Sequence, residues 1–420
     1  MIFLNIQAII VIIIIFSSIY LSIRYKFYSL LNIKKSFSLL RSHEGEGDIS
    51  VVEALSTSLA ATLGTGNIVG VGSAIALGGA NSIFWMILAS ILGSILQFCE
   101  GALTHKYRIK NKDSFIGGPM IYIENGLKSR YNKNFKSISI IYSLILIIAS
   151  LVIGNMIQAS TIYESIPINK YIISIILSFF VFLVIFGGIK KIGLFCSKVI
   201  PLITFIYIFA SLIIIILNID NLFYAISLIF SDLFNFKAIS GGIIGTSIKY
   251  GITRGIFTNE AGLGSGAISY ANSKNRFAYQ TGLVASLGVI IDTVVMCSLT
   301  AIVILISDVD ISSPNQITKD VFINELGFLG GGIIDSCLLL YGFATIIGWY
   351  YFGEMAFSYC FNNQKIFKYI YLLMILIASF ISNNILWEII DYVNFGLALI
   401  NISTILLLVP VIDKIIKNKE

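Results

Sequence analysis

Apolar runs long enough to make a helix of about 20 residues recur along this chain, each closed by a short polar or basic cluster. That is the length one α-helix needs to cross a bilayer, so each run is predicted to be a membrane span. Eleven are predicted: 1–23, 50–79, 82–106, 136–163, 168–187, 195–217, 238–272, 279–306, 328–360, 366–383 and 387–412. The first is followed by Arg24 and Lys26 and lacks the basic start and small-residue cleavage site of a signal peptide, so it is read as a retained span. Two spans are interrupted. The second carries Leu63-Gly64-Thr65-Gly66-Asn67 at its middle, and the seventh carries a glycine- and hydroxyl-rich stretch from Gly251 to Gly266.

Five spans separate the start of one interrupted span from the start of the other. Glycine interruptions at corresponding positions of two halves point to an inverted-repeat transporter. Five is odd, so the halves have opposite orientations in the membrane, and the first span stands before the repeat. The expected division is an extra N-terminal helix at 1–23, a basic connection at 24–49, a first five-helix repeat at 50–217, an external loop at 218–236, a second repeat at 237–412 and a tail at 413–420.

Composition supports a chain that faces lipid. It is 57% hydrophobic and 12% charged, against about 25% charged in a soluble domain. Of the 28 Lys and Arg residues, 23 fall in alternate connections (24–49, 106–136, 188–198, 273–278, 361–368 and 413–420). By the positive-inside rule these are cytoplasmic, the N-terminus lies outside and the C-terminus inside. The other loops are acidic, with Asp220 and Asp232 in one and Asp308, Asp310, Asp320 and Glu325 in another. The net charge of +6 thus flanks a membrane and does not indicate nucleic acid. Five cysteines without a CxxC pair argue against a disulfide framework. Two histidines, His43 and His105, make a histidine metal site improbable. No Ser/His/Asp set or Cys/His pair suggests an enzyme.

The candidate chemistry lies at the interruptions. A helix broken at Gly64-Thr65-Gly66-Asn67 exposes N–H groups on one half, which attract a carboxylate, and carbonyls on the other, which with Asn67 suit a small cation. Close helix packing through the Gly66/Gly70 pair is the other reading. Arg254 and Glu260 are charges inside a span, either paired structurally or scaffolding a break. Asn155 and Gln158 share a helix face, and Gln158 either bonds a polar ligand or joins helices. Asp292, Thr345, Trp349 and Glu354 are further polar or aromatic candidates, with Trp349 a pocket wall or ordinary packing; Glu388 and Asp391 are placed at the outer end of the last span.

These motifs resemble the alanine or glycine:cation symporter family. The resemblance rests on ATLGTGNIVGVGSAIALGG within Ala60–Gly79 followed by Ile83-Phe84-Trp85-Met86, and on Gly117-Gly118-Pro119-Met120 with Tyr122-Ile123-Glu124. It continues through Gly154-Asn155-Met156-Ile157-Gln158, Gly187-Gly188-Ile189-Lys190, the run from Arg254 to Ser265, Asp292-Thr293 and Gly348-Trp349. The resemblance implies an all-α polytopic membrane protein with a leucine-transporter-like 5+5 inverted repeat and one extra N-terminal helix. It also implies sodium-coupled uptake of alanine or glycine across a cell membrane, with no cofactor beyond the coupling ion. By position, Gly64, Thr65, Gly66 and Asn67 would bind substrate, Gln158 and Phe257 would line the pocket and Trp349 would close it. Sodium would take the carbonyls of Ala60 and Leu63 and the hydroxyl of Thr345. Arg254, Glu260 and Asp292 would be structural or gating residues. The chain departs from the family in having Ala344-Thr345 for Ser-Thr, Gly78-Gly79-Ala80 for GGP, and Thr258 for Ser. The first departure puts the cation site in question and keeps open a proton-coupled transporter of the same fold; a non-transporting channel or scaffold is the reading from another class.

Overall fold

The structure, a computed structural model, describes residues 2–419 apart from 43, 112–113, 167, 232, 234–242, 308–315, 362–363 and 382. His43, Asp232, Lys237, Asp308 and Asp310 lie outside the described residues. Nearly all the rest is helix; a short antiparallel pair, Ile109–Asn111 with Ser114–Ile116, is the strand structure among the described residues. Among the described residues, six helices are long and apolar enough to cross a membrane: Ser82–Tyr107, Lys136–Ser165, Gly188–Leu217, Ala278–Ile306, Ile317–Phe361 and Glu388–Leu407. The pair Val51–Thr62 and Gly66–Gly78, bent by 54°, makes a seventh. The other predicted spans also contain helices: Ile2–Arg24, of 23 residues, and the shorter Lys170–Ile185, Ile243–Asn259 and Gln364–Ala378.

Two elements differ from the sequence reading. The stretch 218–236 contains a helix, Ile219–Phe230, with Ala225 and Ile229 buried and Phe223 exposed. The helix predicted to start at 328 begins at Ile317 and is broken at Gly327, where φ is 63°. Only glycine adopts that backbone without strain. The segment before the break is anchored by Thr318, whose hydroxyl donates to the carbonyl of Ile68 at 2.7 Å.

Both interruptions break their helices. The first half-helix starts at a capping box, Ser50 with Glu53, which satisfies two orphan N–H groups. It stops at Leu63, whose φ of −68° and ψ of 102° are extended. The chain resumes as a π-helical turn at Gly66–Gly70. The second interrupted helix ends at Asn259; Glu260, Gly262 and Gly264 then take positive φ angles of 54°, 93° and 83°. A short 3₁₀ helix, Gly266–Asn272, follows.

At the end of the bundle where the basic connections gather, the chain entering the first broken helix pairs with the chain leaving the second. Ile49 N–H donates to Asn272 O at 3.2 Å, Lys274 N–H to Ile49 O at 3.1 Å and Gly45 N–H to Lys274 O at 3.0 Å. The Asn272 amide acts as a strand edge, accepting from Phe115 N–H and donating to Phe115 O, both at 2.7 Å. Arg108 donates to the carbonyls of Ala271 and Ser273 and stacks 4.1 Å from the Phe115 ring. Burial pushes its guanidinium down to about 10, with Glu46 acting in the opposite sense.

Candidate functional site

Breaking a helix in an apolar interior leaves backbone groups that must find partners. At the first break Asn67 supplies them. Its Oδ1 accepts from Gly64 N–H at 3.0 Å, and its Nδ2 donates to Asp292 O at 2.9 Å and to Asp292 Oδ1 at 3.0 Å. Asp292 sits in a π-helical segment, Ile290–Cys297, and its other oxygen accepts from Thr293 at 2.8 Å. Thr293 in turn accepts from Asn259, the last residue of the second broken helix, at 3.2 Å. Asn67 and Asp292 thus lock the two breaks together, and both are almost fully buried.

The second break is held from three sides. Tyr142 OH donates to Leu263 O at 2.7 Å, Asn401 Nδ2 donates to Gly262 O at 2.9 Å and to Glu100 Oε1 at 2.8 Å, and Tyr122 OH donates to Asn401 Oδ1. Ser265 donates to Glu260 Oε2 at 2.6 Å. Asp391 is a carboxylate that acts on the Arg254 charge.

Between the breaks lies a cavity of about 20 Å³ lined by Gly64, Thr65, Gly66, Gln158, Phe257 and Glu260, together with Thr258. One water needs about 10–15 Å³ of such space, so the cavity has room for about one. A second cavity, of about 450 Å³, shares Thr65, Gly66 and Phe257 with the first and has Arg254, Lys319 and Asp335 on its walls. Phe257 therefore stands between a large vestibule and a small chamber. Gln158 donates to Ile153 O at 3.3 Å, which leaves its buried Oε1 without a hydrogen-bond partner.

Ala60, Leu63 and Thr345 gather beside the chamber. Thr345 donates to Ala60 O at 2.8 Å, and its hydroxyl lies 3.1 Å from where a Cβ on Gly64 would stand. Trp349 is fully buried and is not among the residues lining the small cavity. It packs over Gly154, where an added Cβ would come within 2.0 Å of it, and its indole lies close enough to Glu260 to act on the carboxylate. Asn155, on the same helix face as Gln158, donates from Nδ2 to Tyr371 O at 2.7 Å, while its buried Oδ1 has no hydrogen-bond partner.

Sequence reasoning passed over Glu100, Asn259 and Asn401. Glu100 carried a signal: it is a carboxylate within an apolar span, and such groups mark function or a specific partner. Asn259 and Asn401 carried none, because the side chains they bond, Ser90 and Thr293 for the one and Glu100 and Tyr122 for the other, lie more than 30 residues away in sequence.

The profile of the Sodium:alanine symporter family matches residues 2–420. The chain belongs to that family. Within it, the chain is 34% identical over 394 residues to the Sodium/alanine symporter AgcS of Methanococcus maripaludis, covering 90% of this chain and 86% of that one. It is 30% identical over 414 residues to the Probable sodium/glutamine symporter GlnT of Bacillus subtilis, covering 95% and 85%. Among solved structures, MhsT in complex with L-phenylalanine superposes with a TM-score of 0.64 at 13% identity, covering 86% of this chain and 89% of that one. The fold is therefore the leucine-transporter-like one, and the protein is a multi-pass secondary transporter of a transporter family, as the resemblance implied.

Proposed function

We propose that this protein carries a small neutral amino acid, alanine or glycine, into the cell together with sodium by alternating access. The observation that carries the reading is the meeting of both helix breaks at one small chamber. The half-helix beginning at Gly66 has no side-chain cap at Thr65, and the first N–H groups of a helix lack intrahelical partners, which suits a carboxylate. Gln158 and Phe257 bound the remaining space, which has room for about one water and must widen to admit even a small amino acid. Asn67 is better read as the fastener of the break than as a substrate contact, because its amide is already engaged on both sides. Trp349 supports the chamber without lining it. Sodium is assigned to the carbonyls of Ala60 and Leu63 with the Thr345 hydroxyl, an all-oxygen set of the kind hard cations take.

In the orientation expected from the basic connections, the 450 Å³ vestibule opens outward and the clamp of Ile49, Asn272 and Arg108 seals the cytoplasmic end. This arrangement corresponds to an outward-facing state. The test is uptake of labelled alanine into proteoliposomes with and without an inward sodium gradient. Sodium-stimulated accumulation supports the proposal. Accumulation driven by a pH gradient without sodium favours the proton-coupled alternative, for which the buried Glu260 and Asp292 are the first residues to test. No accumulation of alanine or glycine under either gradient would reject it.

A further inference from the structure

The chamber is lined by two kinds of polar group. The first break offers N–H donors at Thr65 and Gly66. Gln158 and Glu260, which carry acceptor oxygens, line the same chamber, and Gln158 Oε1 lies 3.7 Å from where a Cβ on Gly64 would stand. Glu260 is the single charged side chain lining the chamber among the described residues. It is buried, its backbone holds a φ of 54° that few non-glycine residues adopt, and no described ion pair engages it. One of its oxygens accepts from Ser265 at 2.6 Å. Gln158 is 5% exposed, and its Oε1 has no hydrogen-bond partner although its Nε2 is fixed on Ile153 O. Unpaired buried acceptors are costly, and a buried carboxylate without a cation is costlier still.

A ligand that is anionic at one end and a multiple donor with positive charge at the other would satisfy both kinds of group at once. We infer that Glu260, assisted by Gln158 Oε1, is the counter-ion of the substrate's α-ammonium group. The inference rests on the reading of this chamber as the amino acid site and deepens it: Glu260 becomes a specificity determinant that restricts the substrate to zwitterions with a free α-amine. Glu260 lines the chamber, its Oε2 accepts from the Ser265 hydroxyl and the Trp349 indole lies beside its carboxylate, so the ligand's ammonium would join these two groups there.

The test compares L-alanine with L-lactate, which keeps the carboxylate and methyl group and replaces the ammonium with a hydroxyl. Both are measured as competitors of labelled alanine in proteoliposomes under a sodium gradient. Wild-type protein should prefer alanine over lactate by at least about 100-fold. A hydrogen bond to a charged group contributes about 1.5–3 kcal/mol, so Glu260→Gln should reduce that preference by about 10- to 100-fold. Ser265→Ala, which removes the hydrogen bond and keeps the charge, should hold the preference within about threefold of wild type. An unchanged alanine-to-lactate ratio in Glu260→Gln would overturn the inference, and so would a collapse in Ser265→Ala as deep as in Glu260→Gln, since that would make the carboxylate a backbone support. If Glu260→Gln fails to fold, the wild-type ratio still decides: lactate competing as well as alanine would overturn it. Failure of the chamber reading itself would look different, as wild-type protein that accumulates no alanine at all.

Discussion

Replacing Thr345 with Val keeps the shape of the side chain and removes one oxygen. In the structure that oxygen donates to Ala60 O at 2.8 Å, next to the break at Leu63 and Gly64. Ala60 lies in the last turn before the break, where the helix no longer supplies a donor for its carbonyl. Two effects follow. Without sodium, an unpaired buried carbonyl costs about 1–3 kcal/mol, so the variant should be less stable than wild type. With sodium, a cation ligand worth about 1.5–3 kcal/mol is lost, but wild-type protein must first give up a hydrogen bond worth about 0.5–1.5 kcal/mol to supply it. The net loss spans about 0–2.5 kcal/mol and is about 1.25 kcal/mol at the midpoints, which raises the half-saturating sodium concentration for alanine uptake about eightfold. Ala344→Ser tests the same geometry from the other direction. Ala344 is fully buried and lies four residues before Gly348, where an added Cβ would meet Ala61 N and Thr57 O at 3.2 Å. Residues 344 and 348 share a helix face, so a hydroxyl at 344 would face the helix that carries the Ala60 carbonyl, and half-saturating sodium should fall. The assay is initial uptake of labelled alanine into proteoliposomes at graded external sodium with saturating alanine. Unchanged sodium dependence in both variants would refute the assignment and place the cation elsewhere.

Gly66→Leu should abolish uptake while leaving the protein in the membrane, because a Cβ there already stands 3.1 Å from Thr258 Oγ1 and the rest of the side chain would fill the chamber; normal transport by this variant would count against the site. Excess apolar bulk in a packed site costs about 1–3 kcal/mol, so phenylalanine should compete with alanine uptake far less effectively than unlabelled alanine does; equal competition would show that the chamber does not set the size limit. Cysteine substituted at the exposed Lys128, in the basic connection 106–136, should react with an impermeant thiol reagent from the cytoplasmic side alone, and labelling from outside would reverse the predicted orientation.

Much of this architecture was legible in the sequence because lipid is an exacting solvent. Uncharged runs of helical length, basic clusters at alternate connections and glycine-rich interruptions at Gly64 and Gly262 are local properties, and the membrane leaves few structures that satisfy them. The positions of both breaks were readable for that reason. The fate of individual side chains was not. Asn67 was expected at the substrate or the ion, yet its amide fastens Gly64 to Asp292, a residue 225 positions away. Trp349, expected to close the pocket, packs over Gly154 and is not among the residues lining the small chamber. Glu100 and Asn401, separated by 301 residues, grip the second break between them. Glu260 and Gln158 became one pair of acceptors only when two helices folded against the first break. A sequence specifies which backbone groups a broken helix leaves unpaired; which distant side chain reaches them depends on helix rotation and packing, and those are settled only when the whole bundle assembles.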